Sequence, residues 1–295
     1  MRGWTLAILI SFSGSLAHGG PLGDSPGARA IALGESMRAA AGGALATTLN
    51  PAGVVLTLAY VIEAAYGYKP EDAMSTLNIA VCDSTTSRVG ACLSYEFLTA
   101  DPALSAGDGD ATMHSFGLTA AMPLSPSLLL GTTTRYVRFS ETMSEAMPVD
   151  GSRKGAWLGD AGLILRATQT LSLGVTGYNL IGGDDHQFGR ALGGGIAVTP
   201  TTNLLIAADA RYDWGRDSGR YGGGIEYLFT SSAGQNGFPI RAGYLYDSGS
   251  NGSLITAGLG WVTQRLAVDV GARFQVAGEG NELLVQGALR LFLPN

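Results

Sequence analysis

The sequence predicts an all-β fold: a transmembrane antiparallel β-barrel of about 14 strands with a small N-terminal plug in its lumen. Three observations predict it. Charged residues make up only 14% of the 295 residues, and mean hydropathy is positive at +0.19, where a soluble protein carries about a quarter charged residues. Past residue 20 no apolar run approaches the roughly 18–20 residues that a spanning helix needs. Apolar residues instead recur at every second position in short segments bounded by glycine, of which there are 44, as in barrels that cross a membrane with tilted strands.

The first element is an export signal. Arg2 supplies a positive n-region, Trp4 to Phe12 an apolar core of nine residues, and Ser15-Leu16-Ala17 a small-x-small cleavage site before His18. The core is too short for a stop-transfer helix. The chain therefore divides into a signal peptide (1–17), a plug or hatch (18–57) and a barrel (58–295), with the outer membrane of a Gram-negative cell as the expected location.

Fourteen strand candidates follow, at 60–68, 75–83, 88–98, 112–122, 127–140, 155–167, 171–181, 189–199, 203–214, 219–229, 238–247, 252–262, 265–276 and 281–293. Side chains of a strand project with period two. In 203–214, Leu204, Ile206, Ala208, Ala210, Tyr212 and Trp214 share one face; Asn203, Asp209, Arg211 and Asp213 share the other. In 265–276, Leu266, Val268, Val270, Ala272, Phe274 and Val276 oppose Asp269, Arg273 and Gln275. In 281–293, five apolar residues from Leu283 to Leu293 oppose Glu282, Gln286 and Arg290. A soluble sandwich would alternate too, with its polar face outside, so other features choose between them.

Connections alternate between short turns, such as 168–170 and 263–264, and longer polar loops at 99–111, 141–154 and 182–188. Short periplasmic turns and longer outer loops are the outer-membrane pattern. The link 230–237 departs from it, being eight residues long where a short turn is due. Tyr66, Tyr68, Tyr95, Phe97, Tyr212, Trp214, Tyr244 and Tyr246 gather at the outer strand ends, and Tyr60, Tyr227, Phe229 and Trp261 at the inner ones. Such residues favour a membrane–water boundary. The last strand alternates almost to the C-terminus, as a barrel-closing strand does, although Pro-Asn follows Leu293 and Phe292 falls on the other face.

With the apolar faces towards lipid, the lumen receives charges that include Glu63, Glu96, Asp160, Arg166, Asp209, Arg211, Asp213, Asp269, Arg273 and Arg290. They could form a polar path or gate, or a ladder of ion pairs that fills the barrel and holds the plug, since charges taken from water need partners. Glycines on the same faces, Gly222, Gly224, Gly243, Gly258, Gly260 and Gly271, leave room for a plug or a solute, or relieve crowding where a sheet bends. Cys82 and Cys92 flank a turn; a disulfide and a pair of free lumen-facing thiols are both compatible with their spacing.

Several classes are excluded. The net charge of −6 and the lack of a basic cluster argue against nucleic acid as partner. His18, His114 and His186 are dispersed, so no metal or cofactor site has suitable spacing. His114 and Ser115 alternate between faces, so no catalytic triad can be placed and no enzymatic activity is expected. Gly193-Gly194-Gly195 lies within a strand candidate and opens no helix, so it is no phosphate loop.

The plug segment has another character. Ala28 to Ala41 suggests a helix or coil of small residues, followed by Gly42-Gly43 and a second short helix ending before Pro51. The run from Gly27 to Val54, with Ala28, Arg29, Gly34 and the motif Asn50-Pro51-Ala52-Gly53, resembles the N-terminal segment of the FadL family and its PorV-like relatives. That resemblance implies a fourteen-stranded barrel with its N-terminal segment folded into the lumen as a hatch. It further implies transport of hydrophobic or amphipathic, fatty-acid-like molecules, with outer-membrane lipid and such a ligand as partners. The PorV-like relatives imply an alternative, an anchoring or shuttle component bound to secretion-system proteins; a structural or general-diffusion barrel is a third reading. Two departures stand out: Ala40-Ala41-Gly42-Gly43 replaces an acidic pair, and 295 residues leave little material for large outer loops.

Overall fold

The computed structural model describes residues 26–100, 109–143, 154–183, 188–231, 236–278 and 280–293. The export-signal segment, 1–17, lies outside them, as do residues 18–25 of the expected hatch.

Fourteen antiparallel strands close into one barrel, each paired with its sequence neighbours and β1 with β14. They are β1 (Tyr60–Lys69), β2 (Met74–Asp83), β3 (Gly90–Ala100), β4 (Gly109–Pro123), β5 (Leu128–Met143), β6 (Lys154–Arg166) and β7 (Leu171–Ile181). The second half comprises β8 (Ala191–Thr201), β9 (Leu204–Asp213), β10 (Ser218–Thr230), β11 (Asn236–Asp247), β12 (Gly252–Thr263), β13 (Leu266–Ala277) and β14 (Leu283–Leu293). Each expected strand is present, with ends displaced by no more than three residues. The long link expected at 230–237 shrinks because β10 and β11 both run into it and pair Thr230 with Gly237.

Burial shows which face looks where. Tyr66, Tyr68, Leu93, Trp157, Ile206, Leu259 and Leu289 are exposed on the outside, whereas Glu63, Asp209, Glu226, Asp269, Arg273 and Gln286 are buried in the lumen. A soluble sandwich would show the reverse, so the barrel is built for an apolar solvent. No helix among the described residues is long and apolar enough to cross a membrane; the strands do the crossing. Phe292 points inwards and packs against an apolar cluster under the barrel's terminal end. Arg166, expected in the lumen, is exposed at that same rim, because it is the last residue of β6.

Cys82 and Cys92 are direct cross-strand partners, buried on the inner face and joined in a disulfide. The hatch departs from its expected helices. α1 covers only Ala28–Ile31, because Gly34 and Glu35 turn the chain with φ of 63° and 61°. After a 3-10 turn at Gly43–Leu45, α2 (Ala46–Leu49) stops at Asn50, and a further 3-10 helix runs over Pro51–Leu56, where sequence had suggested none. Pro51 suits a helix start because its missing N–H is not needed there, and the Asn50 side chain caps it by accepting from Ala52 N at 3.2 Å.

Candidate functional site

The hatch threads the lumen, and the inner wall is cut to its shape by glycine. A Cβ at Gly222 would collide with the Gly34 carbonyl, at Gly271 with the Ala28 carbonyl, at Gly174 with the Arg38 carbonyl, and at Gly131 with the backbone of Pro51 and Ala52. Of the glycines singled out from sequence, Gly224, Gly243 and Gly258 also lie directly under residues 32–33, while Gly260 faces Asp269 and Pro239 instead. Backbone packs on backbone along this track, leaving no room for a side chain.

The motif Asn50-Pro51-Ala52-Gly53 sits at the far end of that track. Asn50 is fully buried; its amide donates to the Arg38 carbonyl at 2.9 Å and to the Leu163 carbonyl of β6 at 3.1 Å, with a longer contact to Val175 of β7 at 3.4 Å. Leu163 and Val175 are cross-strand partners, so one side chain ties two wall strands to the hatch. Gly53 lies against the Ala41 carbonyl and leaves no space for a Cβ. Tyr178 and Thr176 of β7 both donate to the Leu49 carbonyl, at 2.5 and 3.0 Å, closing the C-terminus of α2.

Charges complete the attachment. Arg29 grips Glu226 with two hydrogen bonds, at 2.8 and 2.6 Å. Glu226 also accepts from Arg241 at 2.5 Å, Arg241 donates to Asp269 at 2.6 Å, and Arg290 lies 3.9 Å from Asp269 while bonding Glu63 at 2.6 Å. Cations and anions thus alternate from the hatch round β10, β11, β13, β14 and β1. Burial alone would lower the Arg29 pKa; the pull of Glu226 and its hydrogen bonds outweigh it and raise the value. A second relay holds Glu35 of the hatch between Arg273 and Arg220, which also bind Glu282 and Asp247 respectively. The third is the buried pair Arg38–Asp209 at 3.0 Å, beside Tyr178.

Of the lumen charges singled out from sequence, Asp209, Arg211, Asp213, Asp269, Arg273 and Arg290 lie inside but pair differently from their strand neighbours. Asp209 takes Arg38 of the hatch rather than Arg211, whose guanidinium lies 4.7 Å above the Tyr178 ring. Asp213 accepts from Gly215 N at 3.0 Å in the turn after β9. Asp269 joins Arg241 and Arg290, and Arg273 joins Glu35 and Glu282. Same-face residues on one strand stand farther apart than direct cross-strand partners, so ion pairs form across strands. Hatch residues Arg29, Glu35 and Arg38 were the missing partners; their sequence signal was three charges in a segment rich in small residues.

Two further features shape the lumen. Towards the outer rim, Leu98, Met113, Val137, Phe139, Leu158 and Phe188 form an inward apolar cluster on β3 to β6 and the segment before β8. Nearer mid-height, a cavity separates Pro26, Gly27 and residues 44–48 of the hatch from the inner faces of β1 to β4, among them Glu63, Ala80, Ser94 and Ser115. Its free volume is about 50 Å³. A few waters fit; a dry cavity that takes benzene measures roughly 150 Å³.

No family model matches the chain, and no curated protein matches it in sequence. Solved structures do match. The toluene transporter TodX of Pseudomonas putida aligns over 91% of this chain and 98% of its own, with a TM-score of 0.68 and 11% identity. The monoaromatic hydrocarbon channel CymD aligns over 86% and 93%, with a TM-score of 0.63 and 10% identity. A FadL homologue of Pseudomonas aeruginosa aligns over 90% and 97%, with a TM-score of 0.59 and 12% identity. With its apolar exterior and charged, hatch-filled interior, the chain has the fold of the FadL-type outer-membrane channels.

Proposed function

We propose that this barrel admits hydrophobic or amphipathic small molecules across the outer membrane, past a hatch that closes the lumen at rest. The observation that carries the reading is the two-sided outer lumen. Leu98, Met113, Val137, Phe139 and Leu158 line one side, and Arg211, Arg220 and Arg273 stand on the strands across from them. An apolar wall facing a charged one, where Arg220 and Arg273 are held in ion pairs with Glu35, Asp247 and Glu282, suits a molecule with a hydrocarbon body and a polar head. The structural neighbours TodX and CymD, described as a toluene transporter and a monoaromatic hydrocarbon channel, support an apolar cargo.

Open diffusion fits poorly, because the cavity beside the hatch has only about a third of the free volume of one that takes benzene. Passage requires residues 44–48 to move away from the β1–β4 wall. A secretion-scaffold role rests on the sequence resemblance alone, and no feature of the described residues favours it. The test is uptake into proteoliposomes of a medium-chain fatty acid against a sugar of similar mass. Wild type should pass the acid and exclude the sugar, and Phe139→Asp should cut acid uptake at least tenfold. Equal flux of both solutes would sink the reading.

A further inference from the structure

The outward face of β3 to β6 carries two complete cross-strand rows near the outer rim. The row closer to mid-membrane is Tyr95, Phe116, Tyr136 and Trp157, each the direct partner of the next. Tyr95 packs on Phe116 with ring centres 5.0 Å apart, and Tyr136 on Trp157 at 5.2 Å. Aromatic rows of this kind mark the membrane–water boundary. The next row outwards, two residues or about 7 Å further along each strand, is Phe97, His114, Arg138 and Gly155. It therefore lies at the depth of lipid headgroups.

That second row is basic and has donors to spare. Arg138 is exposed, and among the described residues no carboxylate occupies its row or the rows on either side. His114 is its direct neighbour; its Nδ1 is engaged by the Tyr95 hydroxyl at 2.9 Å and its ring packs on Phe97 at 5.0 Å, which leaves Nε2 for a ligand. Gly155, opposite Arg138, adds no side chain, and the Tyr136 hydroxyl leans over it so closely that a Cβ there would collide with it. A guanidinium, an imidazole and a phenol hydroxyl thus stand on neighbouring positions of the membrane side of the wall.

We propose that Arg138, His114 and the Tyr136 hydroxyl form a docking site for the phosphate of an outer-leaflet lipid headgroup. The guanidinium fork matches two phosphate oxygens at once. The aromatic row below covers the first part of the acyl chains, which a free phosphate would not use. The site lies outside the lumen, so it is independent of what the barrel transports; it rests only on the outer-membrane orientation with the long loops outside.

The test uses the purified barrel in maltoside micelles, titrated with bisphosphorylated lipid A and with its dephosphorylated counterpart, bound lipid being counted by native mass spectrometry. Wild type should prefer the phosphorylated lipid. Each of Arg138→Gln and His114→Gln should weaken its binding about fivefold, the effect of one basic residue near an anionic lipid surface, and the double variant should lose the preference. Arg138→Lys should lose part of it, and Arg166→Gln at the opposite rim none. Equal binding of both lipids by wild type, an unchanged preference in the double variant, or displacement of the lipid by inorganic phosphate would each overturn the proposal. All these side chains are outside the core, and heat-modifiability on gels checks that every variant is folded.

Discussion

The two sides of the lumen meet the same hatch in opposite ways. On β7 to β13 the hatch backbone is inlaid against glycines and fixed by Arg29–Glu226, Arg38–Asp209 and Glu35 between Arg220 and Arg273. On β1 to β4 the mid-height wall carries Glu63, Ala80, Ser94 and Ser115 and faces the hatch across a cavity. The first side has no tolerance for added volume, since it is packed atom against atom; the second has some. A hatch held firmly on one side and loosely on the other parts first from the loose side, along β1 to β4.

Enlarging the wall on each side gives the largest contrast. Gly174→Val should drive β7 into the Arg38 carbonyl, costing about 1–3 kcal/mol or more of stability and detaching the hatch. Protease should then cut residues 26–57 in intact proteoliposomes. Gly194, the outward neighbour with only a distant carbonyl nearby, is the control, and Gly194→Val should leave cleavage at the wild-type level. If the two variants behave alike, the glycine track does not seat the hatch.

Breaking the ion pairs comes next. Both side chains of Arg38–Asp209 are nearly fully buried, and removing one partner of such a pair typically costs about 3–5 kcal/mol because the other charge stays buried alone. That range makes Arg38→Gln comparable to the worst glycine variant when measured by urea unfolding in detergent. Arg38→Met with Asp209→Leu should recover most of the loss. Arg273→Gln should lower thermal stability too, since it takes the Arg273 partner from Glu282 and leaves Glu35 with Arg220; a variant that is fully stable yet fails to take up an amphipathic acid would assign Arg273 to the solute instead.

The motif at Asn50 is a smaller hold. Asn50→Ala removes the cap on Ala52 and the amide's bonds to Arg38 and Leu163, an expected loss of about 1–2 kcal/mol. Leakage of a small fluorescent dye should rise in Asn50→Ala with Pro51→Ala; unchanged leakage would make the motif a simple connector. On the loose side, Ser94→Val should change stability by less than about 1 kcal/mol, the range of substitutions that make no new clash. If the solute passes here, the same variant should slow uptake while leaving hatch protection from protease intact.

The barrel was legible because period-two alternation survives any tertiary context: a one-residue slip would turn Leu289, Leu291 and Leu293 of β14 into the lumen and Gln286 and Arg290 towards lipid. The strand ends moved by up to three residues, as at β5, where pairing with β4 carries the strand on to Met143. The hatch was less legible. Small residues from Ala28 to Ala41 suit a helix by propensity, yet the chain turns at Gly34 and Glu35, because there it must fit between the glycines of β10 and β11 and offer Glu35 to two arginines. Tertiary packing overrides so weak a preference.

The sequence by itself determined the strand count, the alternation that separates lipid-facing from lumen-facing residues, and most of the wall charges within. Alternation is a local property of each strand, and the apolar solvent outside admits only one sidedness. Only the tertiary structure decided the partners. Whether Asp209 meets Arg211 or Arg38, and whether a wall glycine bends a sheet or seats a carbonyl, depends on register between strands and on the path of a segment far away in sequence. Neither leaves a periodic trace in the chain, because each is set by distances across the lumen.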